Sequence, residues 1–327
     1  MEETVSGVLD PHTIEQEILR IREKESTPFS AGTKTNLFTL LIFRGSTIAA
    51  PGAADPVEST LAFLLGKRPA RILTLTRANA EKTEAVVSGR CYPDRKNRGV
   101  CFEEVRIACG NDGLGADPGA WAPLAIRELP VFAWMPDTLE EELALWEPAL
   151  RQAAGIFDKL VVDSSHGARA AANGGNALGA LGRLRDAVAD AFIVSDFSWR
   201  RGQVLREQSA RAFDPMDMRP HLAAIRRVQL YGGSPAEAQL FFAWLRARLG
   251  RVVEVDHAFA GPLAEGFKVT FTLEGSPAVE IGCTKGGCLS RGEEKAGFKA
   301  PVDGEILMAE VDDFTRDAVF LEALAHA

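Results

Sequence analysis

The sequence predicts an α/β protein. A mostly parallel sheet with helices on both faces forms the N-terminal part, and an α+β domain with an antiparallel sheet follows. Three observations predict it. Leu129–Ser165 reads as strand, turn at Pro136-Asp137, helix and strand, and its strands are too uniformly apolar to leave a wet face. The apolar runs NLFTLLIF (Asn36 to Phe43) and ARILTLT (Ala70 to Thr76) are joined by a helical stretch, which is the length of a parallel crossover. After His221 the segments become short and alternating, separated by turns such as Glu274-Gly275-Ser276-Pro277.

The elements follow in order. Ile14, Ile18 and Ile21 recur at helix spacing behind Pro11, so residues 1–27 hold a helix. Pro56 to Leu65 reads as a second helix, and Val100 to Cys109 as a strand. Gly89 to Arg98 is polar and reads as a turn region. In the central unit Leu139, Leu143, Trp146 and Leu150 form one stripe, and the acidic residues before and between them suit the positive end of a helix. Helices are expected at Leu178 to Val188 and Gln203 to Phe213, with a brief strand at Ala191 to Ser195 between them. Ser234 caps a helix whose first residue is Pro235, with Glu237 completing a capping box and Gly250 ending it. Glu305 to Glu310 reads as a last strand and Phe314 to Leu324 as a closing helix.

The length of 327 residues exceeds what one core usually sustains, so two domains are expected, 1–220 and 221–327. No run of 18 apolar residues suggests a membrane span, and the acidic MEETVSGVLDPHTIEQE is unlike a signal peptide, which predicts a cytoplasmic protein. Five cysteines, odd and sparse, argue against a disulfide scaffold. The net charge of -8 disfavours general nucleic-acid binding, yet residues 181–251 carry 7 acids and 12 bases, every base an arginine. That segment offers a surface to an acidic partner, or a nucleic-acid face as an alternative.

No catalytic, cofactor or metal motif emerges. The glycines of Gly110 to Gly119 do not form G-x-G-x-x-G behind a strand, and Gly32-Thr33-Lys34-Thr35 lacks the preceding glycines of a phosphate loop. Cys283 and Cys288 have four residues between them, but a structural zinc site needs two further ligands and, with His257 the nearest histidine, a fourth is not evident; they read as strand cysteines or a redox pair. Asp163, Ser164 and Ser165 end a central strand, where open sheets place ligands, and with Asp196 they define a possible ligand crevice. Adjacent Asp163-Ser164-Ser165-His166 is a poor hydrolase triad, which needs side chains converging from separated positions. Asp196-Phe197-Ser198-Trp199-Arg200-Arg201 reads either as a docking patch or as a core tryptophan with solvated arginines.

These segments resemble, in order, the OpcA family of glucose-6-phosphate dehydrogenase assembly proteins. The resemblance rests on NLFTLLIF, RPARILTLT, CFEEVRIACG, LPVFAWMPD, FDKLVVDSS, DFSWRRGQVLREQSARAFD and AQLFFAWLRARLG. It is carried by Leu129, Pro130, Val131, Trp134, Asp158, Val162, Asp163, Ser164, Asp196, Trp199, Arg200, Phe213, Asp214, Trp244, Leu245, Arg248, Leu249 and Gly250. Phe132-Ala133-Trp134-Met135 and DFSWRRGQVL each lack a second tryptophan of the family pattern, so the chain resembles a divergent member. The resemblance implies a non-catalytic accessory protein, an allosteric regulator in the pentose phosphate pathway. It would bind glucose-6-phosphate dehydrogenase and promote its assembly or activity, with redox control in photosynthetic members. It would work without a cofactor. The partner surface expected on that basis comprises Trp199, Arg200, Arg201, Arg206, Trp244 and Arg248. The alternative is a small-molecule-binding protein or enzyme that uses the crevice near Asp163 and Asp196.

Overall fold

The structure is a computed structural model that describes residues 2–5, 10–26, 32–33, 36–45, 55–64, 67–93, 99–113, 117–137, 139–165, 177–188, 191–284, 287–290, 293–295 and 301–326. Two compact units are present. The first comprises Met1–Val162, Arg185–Ser195 and Asp303–Thr315; the second comprises Asp163–Leu184, Asp196–Val302 and Arg316–Ala327. Relative to a cut at residue 220, the stretches 163–184 and 196–220 therefore lie with the second unit and 303–315 with the first.

The first sheet contains β1 (Glu2–Val5), β2 (Gly32–Thr33), β3 (Phe38–Arg44), β4 (Ala70–Arg77), β5 (Glu84–Pro93), β6 (Gly99–Cys109), β7 (Val131–Met135), β8 (Lys159–Val162) and β9 (Ile193–Asp196). Its order is β1-β5-β6-β4-β3-β7-β8-β9, with β2 beside β6. The pairs β6–β4, β4–β3, β3–β7 and β7–β8 are parallel. Counted from β3 over the parallel strands alone, leaving out the antiparallel β5, the order is the doubly wound third, second, first, fourth, fifth, and the progression of the chain across the sheet reverses between β3 and β7. Every residue of β7 and β8 is buried, so both faces are covered, as the uniform apolar runs require. Phe43 anchors this core, its ring 5.6 Å from Trp121 and 5.3 Å from Trp146.

Two expectations change here. The polar stretch at Gly89 lies within β5, which pairs antiparallel with β6; residues 94–98 lie outside the described set. Backbone pairing with a long neighbouring strand overrides the turn signals of Gly89 and Pro93. Glu305 to Glu310 belongs to the helix Asp303–Asp312, not to a strand. Its apolar run is too short for periodicity to separate the two, and Asp303 and Glu305 in the first turn favour the helix.

This unit also buries charge. Lys159 is 0% exposed; it pairs with the Glu310 carboxylate and donates to the carbonyls of Glu310 (3.2 Å) and Asp313 (2.8 Å). Arg71 is likewise buried and is held by Glu103 at 2.9 Å, by Glu15 and by the Leu124 carbonyl. These contacts attach the helices Asp303–Asp312 and Pro11–Ser26 to the sheet.

The second unit's sheet has the order β11-β10-β12-β13-β14-β15, with β10 (Ile225–Tyr231), β11 (Glu254–Ala258), β12 (Gly266–Leu273), β13 (Val279–Thr284), β14 (Gly287–Ser290) and β15 (Glu293–Lys295). It is antiparallel except for β10–β11, which are parallel because the helix Pro235–Leu249 crosses over between them. Exposure alternates along β12 and β13, so one face packs and the other is wet. The capping box of Ser234 and Glu237 is present, and Gly250 ends the helix at φ 62°. Gly232, at φ 96°, makes the turn before it: a Cβ there would lie 2.7 Å from the Gly266 carbonyl oxygen. No helix among the described residues is long and apolar enough to cross a membrane.

Candidate functional site

The chain leaving β8 carries Asp163, Ser164 and Ser165, and β9 ends on Asp196. The structure brings these together. Asp196 caps the short helix Phe197–Arg201 by accepting the Trp199 N–H at 3.1 Å, and it accepts the Ser164 N–H and hydroxyl at 2.8 and 2.9 Å. Asp163 accepts both the N–H and the hydroxyl of Ser165, and Arg201 grips its two oxygens at 3.0 and 2.8 Å. The Ser198 hydroxyl reaches Asp163 at 3.4 Å.

Glu237 is the neighbour that sequence reading treats only as a cap. Its carboxylate accepts the Ser234 N–H at 2.7 Å. Burial pushes its pKa up, against that hydrogen bond and the charge of nearby Arg201. Burial, with the Asp163 charge adding to it, pushes Asp196 up to about 7. The result is a fully interior set of carboxylates whose oxygens are engaged by hydroxyl, amide and guanidinium donors. Its evident chemistry is to fix where the two strand ends lead. Residues 166–176, which follow it, lie outside the described set.

The expected docking residues separate into interior and surface groups. Trp199 is 2% exposed, so it is a packing residue and not a projecting anchor. Arg206 lies 3.4 Å over its ring and donates to its carbonyl; Phe320 packs against it; and its indole N–H donates to Asp317 at 2.7 Å. Asp317 in turn caps the helix Ala318–Ala325, a role that no motif announces. Trp244 is buried and stacks on Phe241. Arg201 serves Asp163, and Arg200 is half-buried. Arg248 is on the surface, paired with Glu322 at 2.5 Å. Other arginines of the basic segment are also engaged, among them Arg211 with Glu207, Arg226 with Glu274, Arg227 with Asp256, and Arg251 with three carbonyls.

Cys283 and Cys288 face each other across β13 and β14 and are disulfide-bonded. Cys101 is disulfide-bonded as well, and Cys109 is a buried thiol that burial pushes up to about 12. The odd, sparse cysteine count gave no sign of these bonds; the Cys283–Cys288 bond ties β13 to β14 in a sheet that has its own core. Among the described residues no cluster of His, Cys, Asp and Glu is arranged to hold a metal ion.

Comparison with known proteins assigns both halves of the chain. The family model described as glucose-6-phosphate dehydrogenase subunit N-terminal domain matches residues 64–180, and the model for the C-terminal domain of that subunit matches residues 193–324. The chain belongs to the OpcA family. Among its OpcA relatives, the putative OxPP cycle protein OpcA of Synechocystis sp. is 25% identical over 247 residues, 73% of this chain and 50% of the relative. The OpcA of Nostoc punctiforme is 27% identical over 243 residues, 72% of this chain and 48% of the relative. The chain thus spans about half the length of the curated relatives it matches. Among solved structures, a biliverdin reductase from Synechocystis sp. aligns with 89% of this OpcA chain and 96% of its own, at 9% identity and a TM-score of 0.46. Several positions that carry the OpcA pattern, namely Asp163, Ser164, Asp196 and Trp199, are interior here, and Ser164 and Trp199 both donate to Asp196.

Proposed function

We propose that this chain is a non-catalytic accessory subunit that binds glucose-6-phosphate dehydrogenase and promotes its assembly or activity. The observation that carries this reading is the match of both halves to the models for the two domains of a glucose-6-phosphate dehydrogenase subunit. The strand-end carboxylates support it, because Asp163 and Asp196 spend their oxygens on Arg201, Ser164, Ser165 and Trp199. Docking would use surface arginines, Arg248 foremost, while Trp199 and Arg206 hold the helices that present them. A partner that binds one oligomeric state better than another shifts the population toward it. The Cys283–Cys288 bond would make that docking sensitive to reductant.

The test measures activity and oligomeric mass of the dehydrogenase from the same organism, with and without this chain. A rise in activity or a larger assembly is expected, weakened by Arg248→Glu and by reduction. Unchanged activity together with separate elution would overturn the partner assignment.

A further inference from the structure

Between the helix Gln203–Phe213 and β10 the chain reads DPMDMRPHL, residues 214–222. Pro215 stops the helix, and its carbonyl collects the N–H groups of Met218 and Arg219 at 2.8 and 3.2 Å, so the chain folds back at once. Arg251 donates to the carbonyls of Leu222, Ala223 and Ile225, and the Ala224 carbonyl accepts the Glu274 N–H at 2.9 Å. The stretch is thereby fixed as a wall opposite the turn that joins β12 to β13. Across the gap the Ser276 hydroxyl stands 3.5 Å from Nδ1 of His221.

Between these walls lies a groove of about 520 Å³. Met218, Leu273 and Val279, each 6–7% exposed, line it together with Pro277, Ala278 and His221. Apolar side chains continue beyond the cavity along the same wall: Met216 is 86% exposed and Leu222 37%. A thioether held in water on a pinned chain is packing surface without a neighbour, and methionine adapts its shape to whatever covers it. The walls are also charged in one sense. Asp214, Asp217, Glu274 and Glu280 are exposed on them against Arg219 alone. Arg226 and Lys268, which pair with Glu274 and Glu280 from β10 and β12, still leave four acids to three cations.

We propose that this groove docks a polypeptide segment in which an apolar side chain is followed by lysine or arginine. An occupant that also covers Met216 and Leu222 is larger than a small molecule seated in the cavity. The apolar side chain displaces water from Met218, Leu273 and Val279, and the cation meets the excess carboxylate at the rim, which sets preference and encounter more than affinity. Because Pro215, Arg251 and Glu274 already hold the walls, docking costs this chain little ordering. The inference goes beyond the dehydrogenase reading, since it names the chemistry of the segment and stands whichever protein carries it.

The test labels the full chain with carbon-13 at its methionine methyls, which gives five signals at most. Met216→Leu and Met218→Leu identify the two at the groove, and Met135, 0% exposed in β7, is the internal control. Titration with the peptide Gly-Leu-Phe-Lys-Arg-Gly should move the Met216 and Met218 signals and leave that of Met135 in place. A peptide with Glu-Glu for Lys-Arg should bind at least about tenfold more weakly, and one with Ser-Ser for Leu-Phe should move neither signal. Asp217→Lys combined with Glu280→Lys, both at exposed positions, should shrink that ratio to about threefold or less, with the Met135 signal reporting an intact core. No movement of Met216 and Met218 with any peptide overturns the proposal, and so does equal binding of the acidic peptide. Self-association of the chain that Met216→Glu abolishes, read by sedimentation, would overturn it as well, by making a second copy the occupant.

Discussion

The sheets of the two units treat charged side chains differently. In the first, the parallel sheet has no wet face, and a charge that enters it must be matched completely: Lys159 and Glu310 lie side by side with 1% and 0% of their side chains exposed. In the second, one sheet face is wet, and pairs such as Arg226–Glu274 and Lys268–Glu280 lie on the surface with about half or more of each side chain exposed. A surface pair contributes little because water already serves both ions; a buried pair is costly to break because the survivor has nowhere to go. Number of ion pairs is therefore a poor guide to what holds either unit together.

This contrast can be broken at its strongest point first. Lys159→Ala should lower the unfolding free energy by about 3–5 kcal/mol, read from urea midpoints, because it leaves Glu310 buried and unmatched. Lys159→Met combined with Glu310→Leu should recover most of that loss, and a double-mutant cycle would expose the coupling. A single-mutant cost no larger than that of a surface pair would erase the distinction drawn between the units.

The carboxylate set of the second unit gives the next largest effect, through pH. Asp196 holds its proton to about 7 when folded, whereas its ordinary value is 3.8. Its contribution to stability is thus fully present below about pH 4 and is lost as pH rises through about 7, by up to about 4 kcal/mol. Asp196→Asn cannot titrate, so the difference between native and variant urea midpoints should drift in that direction across this window. A flat difference would mean that Asp196 stays ionised throughout.

Trp199→Phe keeps the ring against Phe320 and Arg206 but removes the N–H that Asp317 accepts, with an expected cost of about 1.5–3 kcal/mol. Hydrogen exchange in the helix Ala318–Ala325 should rise in the same variant. Arg226→Ala, at the wet end of the scale, should cost less than about 1 kcal/mol and lose even that at high salt.

Much of the fold was legible because local chemistry and final environment agree. The uniform apolar runs of β3, β4, β7 and β8 require burial on both faces, and Ser234, Pro235, Glu237 and Gly250 mark one helix from end to end. β5 was obscured because Gly89 and Pro93 carry turn signals that a long partner strand overrides. The helix Asp303–Asp312 was obscured by the brevity of its apolar run. At the strand ends, Asp163, Ser164, Ser165 and Asp196 were recognisable from position. Their meeting with Glu237 and Arg201 was not, since it depends on how distant segments pack. The tryptophan at 199 could be read as an anchor or as core, and Arg206 and Asp317 settle it as core. Lys159 did leave a signal: a lone cation in an apolar strand must have a buried counter-charge, although nothing nearby in sequence says that it is Glu310.

The route of the chain has a practical consequence. It passes from one unit to the other five times, after Val162, Leu184, Ser195, Val302 and Thr315. No single cut yields either unit whole. A fragment ending at residue 220, or anywhere between there and Asp303, would contain every strand of the first sheet and still lack the helix bearing Glu310, so its Lys159 would sit in apolar surroundings with no anion to meet it. Truncated genes and nicked chains should therefore yield insoluble or proteolysed material and not a working half.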